Sequence, residues 1–202
     1  MDRTRRTLLK AISSAPVAAF AVTGAEAQQA HHQAQAARQA ARQARAPYRP
    51  TFFTPHEYQT VRALVDLIIP KDERSGSATD AGVPEFMDFT MVDQPARQTA
   101  MRGGLAWLDG EAHRRFDKGF LASTDAERRA ILDDISGSRD APRGLSHGQA
   151  FFRAFRDLTA SGFWTSKMGI EDLAYIGNTF VAEWTGCPAD VLRKLGVARA
   201  AE

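Results

Sequence analysis

The chain has 202 residues, with 26 Lys and Arg against 24 Asp and Glu and a formal net charge of +2 at pH 7. The first 27 residues hold four basic and two acidic side chains, which leaves 22 of each sign in the remainder; from Thr51 onward 18 basic residues face 22 acidic ones. That balance excludes the clustered basic face of a nucleic-acid binder, and a single cysteine excludes an internal disulfide or a cluster held by this chain's thiolates alone.

The N-terminus reads Thr4-Arg5-Arg6-Thr7-Leu8-Leu9-Lys10, followed by a weakly apolar stretch over residues 11–22 that is too short to span a bilayer. Gly24-Ala25-Glu26-Ala27 then offers Ala25 and Ala27 as a small-x-small cleavage signal. Adjacent arginines, apolar run and cleavage signal, in that order, predict a twin-arginine export peptide over residues 1–27 and a periplasmic destination. This route carries proteins that fold before export, and such cargo holds a cofactor or is bound to a partner that does. A basic amphipathic N-terminal helix, or a chance match, is one alternative, and retention as an uncleaved anchor is a second; Lys10 and Pro16 make the segment a poor permanent membrane helix.

Residues 28–50 contain Ala, Gln, Arg and His, with no aliphatic side chain larger than Ala before Pro47. Without an apolar stripe to dock, they predict a solvated tether, partly helical at most. His31 and His32 are adjacent and lack the i, i+4 spacing that converges on one metal ion, so they belong to the solvated tail.

Residues 51–202 predict one domain of about 150 residues. No segment alternates apolar and polar residues long enough for a sheet. Thr54-Pro55-His56-Glu57 is a capping box with proline in the first turn; Tyr58, Val61, Leu64, Val65 and Ile68 follow on one face, and Pro70 stops the helix. Residues 71–80 read as a loop. Val83-Pro84-Glu85-Phe86 opens a second helix, and residues 98–120 form a longer one carrying Met101, Leu105, Leu108, Ala112 and Phe116. Gly103-Gly104 weakens it or admits a close neighbour.

Thr124-Asp125-Ala126-Glu127 is another capping box, and Gly137 ends its helix. Residues 138–145 are a turn-rich joint. Ser146 to Gln149 cap a helix with Phe151, Phe152, Phe155 and Leu158 inward, and residues 189–195 close the chain. The fold expected is all-α, an irregular bundle of five or six helices with a long aromatic and glycine-rich C-terminal loop region.

Catalytic motifs are missing. The chain has no Cys-x-x-Cys-His for haem, no Gly-x-Gly-x-x-Gly, no phosphate-binding loop and no Glu-x-x-His pair. Asp109, Glu111 and His113 lie at spacings of two, on different faces of a solvated helix. Trp107, Trp164 and Trp184 suit a core or an interface better than a cofactor box. No catalytic, cofactor-binding or metal residue is assigned.

Residues 161–188 differ in kind, joining aromatics to glycines without a periodic stripe. Phe163, Trp164, Tyr175, Asn178, Trp184 and Cys187 are candidates for a recognition surface; packing over the bundle for stability alone is the other reading. Cys187 is either buried and inert or bonded to another chain.

Several short motifs now carry a resemblance as an ordered set: the twin arginines, Phe53-Thr54-Pro55-His56-Glu57, Asp66-Leu67-Ile68-Ile69-Pro70-Lys71-Asp72, Ala81-Gly82-Val83-Pro84-Glu85-Phe86, Gly162-Phe163-Trp164-Thr165-Ser166 and Tyr175-Ile176-Gly177-Asn178-Thr179. From Tyr48 to Pro188 the chain resembles the small (gamma, or subunit 3) component of membrane-associated FAD-dependent gluconate, glucose and sorbitol dehydrogenases. The resemblance implies a non-catalytic accessory subunit. Its partner would be a flavoprotein large subunit of the glucose–methanol–choline oxidoreductase type, which holds the FAD and lacks its own signal. Electrons in that family commonly leave through a multihaem cytochrome c subunit carrying haem c. The small subunit supports folding of the large one and carries it through the twin-arginine translocase, so the complex is membrane-associated through its partners. Two alternatives stand beside it: a stand-alone periplasmic helical enzyme or binding protein with an unrecognised cofactor, and a structural or chaperone protein for some other twin-arginine cargo.

Overall fold

The computed structural model describes residues 23–137, 144–175, 177, 180, 182–183 and 186–197. Nine α-helices and no strand occur among them, so the all-α expectation holds. They are α1 (Gly24–Gln43), α2 (Pro55–Ile68), α3 (Ala78–Ala81), α4 (Val83–Asp93), α5 (Gln98–Phe116), α6 (Asp125–Ser136), α7 (Ser146–Trp164), α8 (Lys167–Asp172) and α9 (Ala189–Lys194).

Local chemistry starts several of these helices. At α2 the Thr54 hydroxyl accepts the Glu57 N–H at 3.2 Å and the Glu57 carboxylate accepts the Thr54 N–H at 2.8 Å. Thr124 and Glu127 repeat the pattern at α6, at 3.3 and 2.7 Å. Each reciprocal pair satisfies donors that a helix N-terminus leaves without partners. Helix α5 is shorter than expected: it stops at Phe116 because Asp117 takes a left-handed conformation, φ 56°, and Phe120 enters a separate 3-10 turn. Part of the expected 71–80 loop is helical, since Ser77 and Asp80 form a capping box that starts α3. The α7 cap also differs: Leu145 is the N-cap and makes no side-chain cap bond. Most of the expected 138–145 joint, residues 138–143, lies outside the described residues.

Helix α7 is the central element, packed against α4, α5 and α6. Phe155, Leu158 and Phe163 from α7 meet Phe86 and Met87 from α4, Met101 and Leu108 from α5, and Ile131 from α6 in one buried cluster. Two glycines permit the close approach. A Cβ on Gly104 would overlap the Phe151 ring, and one on Gly162 would lie 2.8 Å from Phe86 Cδ1. The close-neighbour reading of Gly103-Gly104 is therefore the one realised.

The tether expectation is corrected. Residues 24–43 form a full helix that packs along α4, with Ala27, Ala30, His31 and Ala34 buried. These positions share one face at helical spacing. Small side chains there let the two helices approach closely. The sequence also carried a start signal, because Thr23 and Glu26 form a capping box. His31 is not a tail residue: its ring stacks on Phe86 and its Nε2 lies 2.9 Å from Thr165 Oγ1.

A second unforeseen tie is Asp88, which is 1% exposed. Its carboxylate accepts the Tyr48 hydroxyl at 2.9 Å and the N–H groups of Thr51, Phe52 and Phe53 at 2.7, 3.0 and 3.0 Å. The segment entering α2 is thereby pinned to α4. Charge-assisted bonds of this kind are the strong ones.

Candidate partner-docking surface

The C-terminal third is built in two parts with opposite properties. The first part is packed. Helix α7 runs unbroken through Trp164, so residues 161–164 are helix and not the loop expected. Ser166 caps α8 by accepting the Gly169 N–H at 3.1 Å. Gly169 sits against the Phe163 carbonyl with no room for a side chain. Arg74 bonds the far end of α8, its Nε 3.3 Å from an Asp172 carboxylate oxygen.

The second part is not packed. From Leu173 to Val197 every described residue is exposed except Leu192, which is half-buried. Large apolar side chains are included: Leu173, Tyr175 at 64%, Phe180 at 93%, Leu195 at 67% and Val197. Trp164 and Ile170 extend the group back to the bundle, and Val92 is the one large exposed apolar residue outside this third among those described. Helix α9 buries none of its residues. A soluble monomer rarely leaves so many large apolar groups in water together.

Against this surface the candidate residues divide. Phe163 is corrected: at 1% exposure it belongs to the core, edge-on to Trp164 with ring centroids 4.9 Å apart. Trp164 is partly exposed and Tyr175 is exposed. Cys187 is exposed with a free thiol, so the buried reading is set aside. Asn178 and Trp184 lie outside the described residues, as do Arg5, Arg6, Leu8, Leu9 and Lys10 of the export signal. Ala25 and Ala27 fall inside α1. Sequence reasoning did not single out Leu173, Phe180 and Leu195, and spacing does not mark them as exposed, since each has an apolar residue three or four positions away.

Elsewhere several polar side chains engage one another. Glu111 is buried, not solvated as expected; it accepts bonds from Arg114 at 2.7 and 2.8 Å and from Arg115 at 2.7 Å. The Arg114 hydrogen bonds, then those of Arg115, pull its carboxyl down to about 2. Asp109 accepts the Phe120 N–H at 2.9 Å and pairs with His56 at 2.5 Å. A cleft of about 550 Å³ lies beside α1 and α2, lined by Arg38, Tyr48, Arg49, Tyr58, Arg62 and Glu85. Burial, then the Asp88 charge, pushes the Tyr48 hydroxyl well above its ordinary value, which keeps it a donor. Among the described residues no three His, Cys, Asp or Glu side chains gather as a metal site would require, and no helix is long and apolar enough to cross a membrane.

Comparison with known proteins decides the family. The model described as gluconate 2-dehydrogenase subunit 3 matches residues 55–183. The chain belongs to that family. The matched span runs from the first residue of α2 into the exposed C-terminal segment, so the gluconate 2-dehydrogenase subunit 3 region contains the bundle core and the first exposed apolar residues together. Helix α1 lies outside it. No curated protein and no solved structure matches the chain.

Proposed function

We propose that this chain is the non-catalytic small subunit of a periplasmic FAD-dependent sugar or polyol dehydrogenase. It docks on the flavoprotein large subunit, helps it fold, and crosses the membrane with it by the twin-arginine route. The observation that carries this reading is the exposed apolar segment from Leu173 to Val197 beside a well-packed bundle. A segment that cannot bury its apolar groups on its own body gains by burying them on a partner. Family membership supports a dehydrogenase complex as the setting. The large subunit would hold the FAD, and a multihaem cytochrome c, where present, would take the electrons toward the membrane.

The exposed Cys187 sits in the same segment. In the oxidising periplasm it is placed to form a disulfide with the partner. The test is a pull-down of the tagged chain from the periplasm, with flavin absorbance read on the eluate and gels run with and without reductant. A flavin-containing partner is the expected result, and release of that partner only by reductant identifies Cys187 as the link. A colourless single chain would overturn the reading.

A further inference from the structure

The small residues of the expected cleavage signal are folded into a helix. Ala25 and Ala27 lie in the first turn of α1. Thr23 is its N-cap: the Thr23 hydroxyl accepts the Glu26 N–H at 3.3 Å, and the Glu26 carboxylate accepts the Thr23 N–H at 2.8 Å. The Ala27 N–H is already given to the Thr23 carbonyl at 2.9 Å. Ala27 is 2% exposed.

Further along, the helix is held by contacts of three kinds. Ala30 and Ala34 continue the buried face. His31 stacks on Phe86 and bonds Thr165. Arg38 donates to the Asp80 carbonyl at 3.3 Å and pairs with Glu85 at 3.6 Å.

A peptidase takes its substrate as an extended strand whose backbone groups are free to pair with the enzyme. The Ala27–Gln28 bond offers neither the conformation nor the access. A twin-arginine passenger reaches the peptidase already folded, so the obstruction is in place when cleavage would occur. We propose that the Ala27–Gln28 bond is not cut in the folded protein. Any processing falls N-terminal to Thr23, and the exported chain keeps the whole of α1 as part of its fold. The proposal rests on the export reading above for its biological setting, but the helix can be tested without it.

The purified full-length chain is treated with elastase, which cuts after small residues, and the products are read by intact mass. Cuts in the exposed segment after Leu173 are set aside; within the N-terminal part of the chain, early cuts confined to positions before Thr23 are expected. Two variants calibrate the result. Thr23→Ala removes the cap and should raise cutting inside the first turn about fivefold. Ala34→Glu forces a charged side chain against α4 and should raise cutting within α1 about tenfold, because cleavage follows the population of the opened helix. Wild-type cutting at Ala27 as fast as in both variants overturns the proposal. In cells, the periplasmic protein should begin at or before Thr23; a start anywhere within α1 overturns it. Absence of the chain from the periplasm would count against the export reading alone, and the elastase result would still decide the state of α1.

Discussion

His31 of α1 lies nearly parallel to Phe86 of α4, ring centroids 4.8 Å apart and planes 27° from each other, while its Nε2 meets Thr165 Oγ1 at 2.9 Å. One imidazole thus joins α1 to α4 and to the end of α7. Burial lowers its pKa from the ordinary 6.5; a bond at the Gly162 backbone opposes the shift, and the neighbouring His32 adds to it. With the folded value below the unfolded one, the unfolded chain binds more protons between the two. Stability from this group is therefore full above the unfolded value and is lost as pH falls from 6.5 toward the folded value. Urea midpoints measured from pH 7.5 to 5 should fall in the wild type, and the fall should be shallower in His31→Gln.

Asp88 accepts three backbone N–H groups and one hydroxyl in a buried site. Asp88→Ala leaves these donors unsatisfied and should cost about 3 kcal/mol or more. Asp88→Asn restores shape but keeps only one acceptor oxygen, so its loss should be smaller. Denaturant titration of both variants checks the order.

Gly162→Ala places a Cβ 2.8 Å from Phe86 Cδ1 and 3.3 Å from Val83 Cγ1. The better helix propensity of alanine is worth about 1 kcal/mol, while overpacking costs about 1–3 kcal/mol. A net loss is expected because both obstructing groups are themselves in the core. Thermal unfolding of the single variant reads it.

The exposed segment should carry binding and not stability. Tyr175→Asp with Leu173→Asp leaves buried residues untouched, so the unfolding midpoint should hold. Capture of the flavin-containing partner should drop at least about tenfold, the scale of losing an interface anchor worth about 2 kcal/mol. An equal loss of folding stability would place these side chains in the bundle instead.

Replacing Arg5 and Arg6 with lysines should strand dehydrogenase activity in the cytoplasm, since the large subunit would depend on this chain's signal. Fractionated activity assays decide it; normal export of activity in the double variant would remove the shared-export proposal.

Helix starts were the most legible part of the sequence. The Thr54–Glu57 and Thr124–Glu127 boxes work within four residues of chain, so their chemistry is visible without the fold. The same kind of box at Thr23–Glu26 was hidden by the overlapping small-x-small signal. Glu111 shows a different limit: its arginine partners at i+3 and i+4 are local, but its burial depends on how the helix packs in the bundle.

The sequence by itself determined an all-α fold, the starts of several of its helices and its family, because caps, periodicity and short ordered motifs are local. Only the tertiary structure decided which faces are covered. An alanine stripe becomes a docking face once α4 is beside it, Phe163 is core because Gly162 lets Phe86 approach, and Tyr175 remains in solvent although only twelve residues separate the two aromatics. Burial is a property of what the rest of the chain brings near, and no stretch of sequence carries that information alone.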